Sequence, residues 1–157
     1  MFPDVIQELD LEPIIVKAMD DDEGFNWTLE FSQQIAEEYK KYLTLCLDYP
    51  YSAIVPAKMI DQFWHLHILD TQKYAEDCQK IFGYFLHHFP YFGMRGQEDA
   101  DNLQNAWTDT CQKYEMRFGC MDKTLWSNSA RCPNCGRRGD VSGQQYMMDI
   151  RPALRVA

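Results

Sequence analysis

Apolar side chains recur every three or four residues along most of this chain, and no stretch shows the sustained strict alternation expected of a half-buried strand. The clearest case runs from Trp27 or Thr28 to Leu47 and ends before Tyr49-Pro50, where the proline restricts the residue before it. With 157 residues, of which 46% are apolar, the chain is long enough for one well-packed domain. We therefore predict one compact all-α domain of about five to six helices.

Prolines and glycines mark the expected ends of these helices. Pro13 and Pro56 stand where a first helical turn can begin, and Gly83 stands where a helix can end. The predicted helices lie near 4–9 and 12–20, from 27 or 28 to 47, at 56–69, at about 71–82 and from 97 to about 118. The apolar period is lost after Gly119, so we expect a helical domain at residues 1–119 and a small appendage at residues 120–157.

One predicted helix contains a carboxylate and two imidazoles within seven residues, in Asp61-Gln62-Phe63-Trp64-His65-Leu66-His67. Asp61 and His65 are four residues apart and share a helix face, whereas His67 points about 200° away from His65. The other two histidines, His87 and His88, follow in an aromatic connector that predicts burial. Buried imidazoles need partners, so they either pair with carboxylates and carbonyls in the core or converge on a metal ion.

If the histidines bind a metal, the favoured ligands are Asp61 and His65 from the helix with His88 or His87 from the connector. Two histidines and one carboxylate form a ligand set typical of zinc or non-haem iron. Asp77, on the neighbouring predicted helix, could supply a fourth ligand or orient one of the others.

Cysteines near the carboxyl end indicate a second metal site. Cys132-Pro133-Asn134-Cys135-Gly136 has the spacing, proline and glycine of a zinc knuckle, in which a tight turn directs two thiolates at one ion. Cys120 could be a third ligand, and Cys111 or a histidine a fourth. The alternatives are a free thiol pair and a redox-active dithiol.

The charge balance and the amino-terminal residues limit the class of partner. The formal net charge is −9, which disfavours nucleic acid because such binding depends on clustered Lys and Arg. No segment is apolar enough to span a membrane, and Met1-Phe2-Pro3-Asp4 lacks the basic start of a secretion signal. We therefore expect a cytoplasmic location and no membrane or nucleic-acid partner.

The run from Met59 to Thr71, continued by Tyr74, Asp77-Cys78 and Gly83 to Pro90, resembles the glycine-rich domain-containing protein-like family. The resemblance covers roughly residues 25–120 and centres on an Asp-x-x-Trp-His-x-His core. It implies a domain of unknown function in a bacterial stand-alone form. The RNA-binding regions attached to the domain in plant relatives have no counterpart in this chain, so RNA binding is not implied.

Two functions from different classes remain open. The preferred one is a metal-binding helical module that interacts with a protein partner, because the aromatic residues around Pro90 could line a groove, although they could equally belong to the core. The alternative is a hydrolytic or oxidative metalloenzyme, in which the Asp61 site keeps an open position for water or oxygen.

Overall fold

We describe the protein from a computed structural model, which covers residues 1–128, 136–137, 146–147 and 149–154. This part of the chain contains six α-helices and two very short strands. They are α1 (Asp4–Gln7), α2 (Glu12–Met19), α3 (Leu29–Asp48), α4 (Lys58–Leu69), α5 (Thr71–Phe82), β1 (His87–His88), α6 (Gln97–Phe118) and β2 (Gly136–Arg137). The prediction of a compact all-α domain of five to six helices is confirmed.

Local capping explains where the helices around the site begin and end. The Thr28 side chain accepts a hydrogen bond from the Phe31 N–H at the start of α3, and Asp70 caps α5 in the same way. Gly83 ends α5 in the left-handed conformation, with φ of 73°, which costs glycine little. Helix α4 begins at Lys58, not at Pro56 as predicted, because Ala57 still has an extended backbone and serves as the N-cap.

Helix α3 lies at the centre of the fold and packs against α1, α2, α4 and α6. Helix α4 contacts α2, α3 and α5, and its Phe63 and Trp64 side chains are fully buried in the main core. A second, smaller cluster includes Val55, Phe89, Phe92 and Ala106. Phe89 and Phe92 belong to the connector, residues 83–96 between α5 and α6, which also carries β1. The two clusters therefore hold α4 and the connector, the two elements that carry the histidines.

Residues after α6 contribute to the main core. Met121, Leu125 and Trp126 are buried there, and the Trp126 indole donates a hydrogen bond to the Glu38 carboxylate on α3. The apolar period does not reveal these contacts, because they come from single side chains in a turn and not from a helix. The division of the chain at residue 119 stays a prediction.

The chain also forms a short antiparallel pairing that the sequence analysis did not predict. His87 pairs with Arg137 and His88 with Gly136, so β2 lies beside the connector. Two residues are too few to show an alternating pattern in the sequence. Among the described residues, no helix is both long enough and apolar enough to cross a bilayer.

Candidate metal centre

Helix α4 carries two of the three side chains of the candidate metal centre. Asp61 lies in its first turn and is 5% exposed, and His65 follows four residues later on the same face. The Asp61 Oδ2 and His65 Nε2 atoms are 3.2 Å apart. The helix period therefore places the carboxylate and the imidazole side by side, as the spacing indicated.

The third side chain, His88, comes from the extended connector after α5. Burial alternates along this connector, with Leu86 buried, His87 exposed and His88 partly buried. The His88 Nε2 atom lies 3.2 Å from Asp61 Oδ1 and 2.7 Å from His65 Nε2. One ligand atom from each of the three residues lies within 4.8 Å of the others, so Asp61, His65 and His88 form a candidate metal-binding group.

The separations of these atoms are close to those that a metal ion requires. Ligand atoms about 2.0 Å from a tetrahedral zinc ion are about 3.3 Å from one another. The two distances from Asp61 are both 3.2 Å, whereas the two imidazole nitrogens, 2.7 Å apart, would have to separate by roughly 0.6 Å. Without a metal, this contact is a hydrogen bond only if one Nε2 atom donates and the other accepts, and the accepting Nε2 then has no hydrogen to donate to Asp61.

Asp61 carries the negative charge of the site. Burial alone would raise the pKa of this carboxyl, but hydrogen bonding and electrostatic attraction from the adjoining His65 and His88 together outweigh burial and hold the pKa below its ordinary value. The carboxylate is therefore ionised at neutral pH, which is the form that binds a cation. The Trp64 ring lies against His88, with the ring centroids 4.5 Å apart, and forms one apolar wall of the site.

His67 and Asp77 form a separate, buried network. The His67 Nε2 atom lies 2.9 Å from Asp77 Oδ2, and its Nδ1 atom lies 2.9 Å from the Tyr39 hydroxyl. Asp77 also pairs with Lys73 at 2.9 Å. Because its carboxylate is paired with His67 and Lys73, Asp77 is not part of the candidate metal-binding group. His67 is a paired core histidine, which is the alternative that the sequence left open.

The other predicted ligands that lie among the described residues do not join this group. His87 is exposed on the opposite side of the connector, where its ring contacts Phe85 at 4.8 Å. Cys120 is exposed after α6, and within the described ranges it belongs to no cluster of metal-ligating side chains. Cys132 and Cys135 lie outside the described residues, so the zinc knuckle stays a prediction.

Comparison with known proteins gives one match. A protein-family model described as UCP032817-like matches residues 3–124, which include all six helices and the candidate metal centre. No curated protein and no solved structure matches this chain.

This match corrects the resemblance to the glycine-rich domain-containing protein-like family, which was wrong because UCP032817-like is a different family. The resemblance was carried by residues between Met59 and Pro90 and centred on the seven-residue Asp-x-x-Trp-His-x-His pattern. A pattern this short can occur in unrelated helical proteins, whereas the family model extends over most of the chain.

Proposed function

The chain belongs to the UCP032817-like family, and because that description specifies no activity, we propose its function from the geometry of the site. The protein is a helical metal-binding protein that holds one divalent transition-metal ion through Asp61, His65 and His88. The observation that carries this proposal is the convergence of one carboxylate and two imidazole nitrogens, from two different elements, within 4.8 Å.

Zinc is the metal that this proposal favours, with iron(II) as the second choice. Imidazole suits zinc, iron and copper, whereas magnesium and calcium prefer sites built only from oxygen atoms. The sequence-based expectation of zinc or iron at the Asp61 site is retained as part of the proposal, and the zinc knuckle at Cys132 and Cys135 remains a separate prediction.

A second candidate function is metalloenzyme catalysis, favoured by the open side of the site. The His65 side chain is 46% exposed, although those of Asp61 and His88 are only 8% and 11% exposed. A metal with three protein ligands and one side facing solvent keeps a position for water or substrate, as catalytic zinc sites do. Binding of water at this position would lower its pKa and make it a nucleophile.

The protein-interaction function also remains a proposal. Of the aromatic residues around Pro90, Phe89 and Phe92 are buried in the smaller core cluster, whereas Phe85 is exposed. A protein partner, a cytoplasmic location and the absence of nucleic-acid and membrane partners stay predictions.

The proposal is tested by the metal content of purified, tag-free protein. All samples should carry Cys132→Ser and Cys135→Ser, so that zinc held by the predicted knuckle does not mask the result. We expect about one zinc per chain, loss of zinc in His88→Gln, and retention in the matched control His87→Gln, which alters the neighbouring exposed imidazole.

Circular dichroism on the same samples establishes that each variant is folded. Zinc that stays bound in folded His88→Gln, or a chain that takes up no zinc or iron after supplementation, would overturn the proposal.

A further inference from the structure

Tyr74 is a buried side chain whose hydroxyl is hydrogen-bonded to two residues next to the candidate metal centre. It is on α5 and is 1% exposed. Its hydroxyl donates a hydrogen bond to the Leu86 carbonyl and accepts one from the Trp64 indole N–H at 2.9 Å. One oxygen atom therefore joins three elements: α4, α5 and the connector.

Leu86 is the point at which the connector is attached to α5. Its carbonyl is bound by Tyr74, and its backbone also hydrogen-bonds the Cys78 thiol. The Leu86 side chain is buried as well. Both the backbone and the side chain of Leu86 are thus fixed, whereas the next residue, His87, is exposed.

The position of Leu86 determines the position of His88. Residues two apart in an extended segment point to the same face and are about 6.6 Å apart along the chain. A shift of the connector by one residue would turn His88 outward and bring His87 inward. The bond from Tyr74 to Leu86 opposes that shift.

The other bond of Tyr74 acts on α4. Trp64 precedes the ligand His65, and its ring lies against His88 at 4.5 Å. Because Tyr74 accepts from the Trp64 indole, it fixes the surface on which the His88 imidazole rests. The same hydroxyl thus orients the connector and the wall of the site.

We propose that Tyr74 is a positioning residue for the metal site, which sets His88 against Asp61 and His65 through the Leu86 carbonyl and the Trp64 indole. The inference rests on the proposed function. Partners of this kind around a metal site contribute through orientation, and their loss usually lowers metal affinity about 10- to 100-fold.

The experiment compares Tyr74→Phe with Tyr39→Phe. Tyr39 is a matched control because it is also fully buried and its hydroxyl also makes a hydrogen bond, to His67 Nδ1 at 2.9 Å, away from the metal ligands. Each variant loses one buried tyrosine hydroxyl, so a general loss of stability should affect both. Co²⁺ is the probe, because its visible absorption reports coordination geometry, and all proteins carry Cys132→Ser and Cys135→Ser.

We expect Tyr74→Phe to bind Co²⁺ about 10- to 100-fold more weakly than the parent protein and to change its absorption spectrum, while Tyr39→Phe keeps both. Equal affinities in the parent and Tyr74→Phe, or equal losses in both variants, would overturn the positioning role. Failure of the parent protein to bind Co²⁺ would instead refute the metal-binding function, and the inference with it. The two failures are therefore distinguishable.

Discussion

Glu38 on α3 offers a sharp test of how the fold is held together. Its side chain is buried, and its Oε2 atom accepts hydrogen bonds from the Tyr114 hydroxyl at 2.9 Å and the Trp126 indole at 2.8 Å. The Oε1 atom pairs with Lys41 at 2.7 Å. One carboxylate thus links α3 to α6 and to the turn that follows α6.

Glu38→Gln keeps the shape of this side chain but replaces one carboxylate oxygen by an NH2 group, which cannot accept a hydrogen bond. One charge-assisted bond is lost, at roughly 2 kcal/mol, and the change of the others from charged to neutral costs about 1 kcal/mol more. The expected loss of about 3 kcal/mol is large beside the usual total of about 5–15 kcal/mol. With a urea slope near 2 kcal/mol/M, the midpoint should fall by about 1.5 M.

The assay is urea unfolding followed by tryptophan fluorescence and by circular dichroism. The matched control is Glu37→Gln, which removes the same charge from the adjacent, exposed position of α3 and should change the free energy of unfolding by no more than about 0.5 kcal/mol. A double-mutant cycle between Glu38→Gln and Trp126→Phe should give a coupling of about 1 kcal/mol. If Glu38→Gln is as stable as Glu37→Gln, the buried network does not hold residues 121–126 to the core.

Two further predictions concern Asp99 and Cys46. Burial raises the pKa of Asp99, but hydrogen bonds from Arg95 and the Gly93 N–H outweigh burial and lower the pKa from its ordinary value of 3.8. The ionised carboxylate therefore stabilises the folded state at neutral pH, and this stabilisation is lost as the pH falls through the lowered pKa. Asp99→Asn should therefore lower the free energy of unfolding at pH 7, and urea titrations should show the difference shrinking below about pH 4; a difference that does not change with pH would contradict the pairing. Cys46 is only 2% exposed, and burial raises the pKa of its thiol to about 12. Iodoacetamide should therefore label the exposed Cys120 in the native protein and Cys46 only after unfolding. Peptide mass spectrometry checks this, and equal labelling of the two thiols before unfolding would count against a buried Cys46.

Most of the helical architecture could be predicted from the sequence. The predicted helix 71–82 has the observed bounds of α5, because a capping residue at one end and Gly83 at the other are local signals. The contact between Asp61 and His65 could also be predicted from the sequence, since residues four apart lie on the same face of a helix.

The sequence did not determine which connector histidine faces Asp61. His87 and His88 are adjacent and chemically identical, and the choice depends on how Tyr74 and the buried Leu86 set the register of the connector. Nor did the sequence distinguish Asp77, which pairs with the core histidine His67, from a ligand of the site.

Local spacing by itself predicted most of the helices and the Asp61–His65 pair, because residues four apart share a face of any α-helix. Only the tertiary structure decided which polar side chains are buried and with which partners. In the sequence, nothing distinguishes Glu38 from the other acidic residues of α3. Its partners Tyr114 and Trp126 are 76 and 88 residues away along the chain and contact it only in the folded structure. The energy of a buried charge depends on such distant partners, and sequence spacing does not encode them.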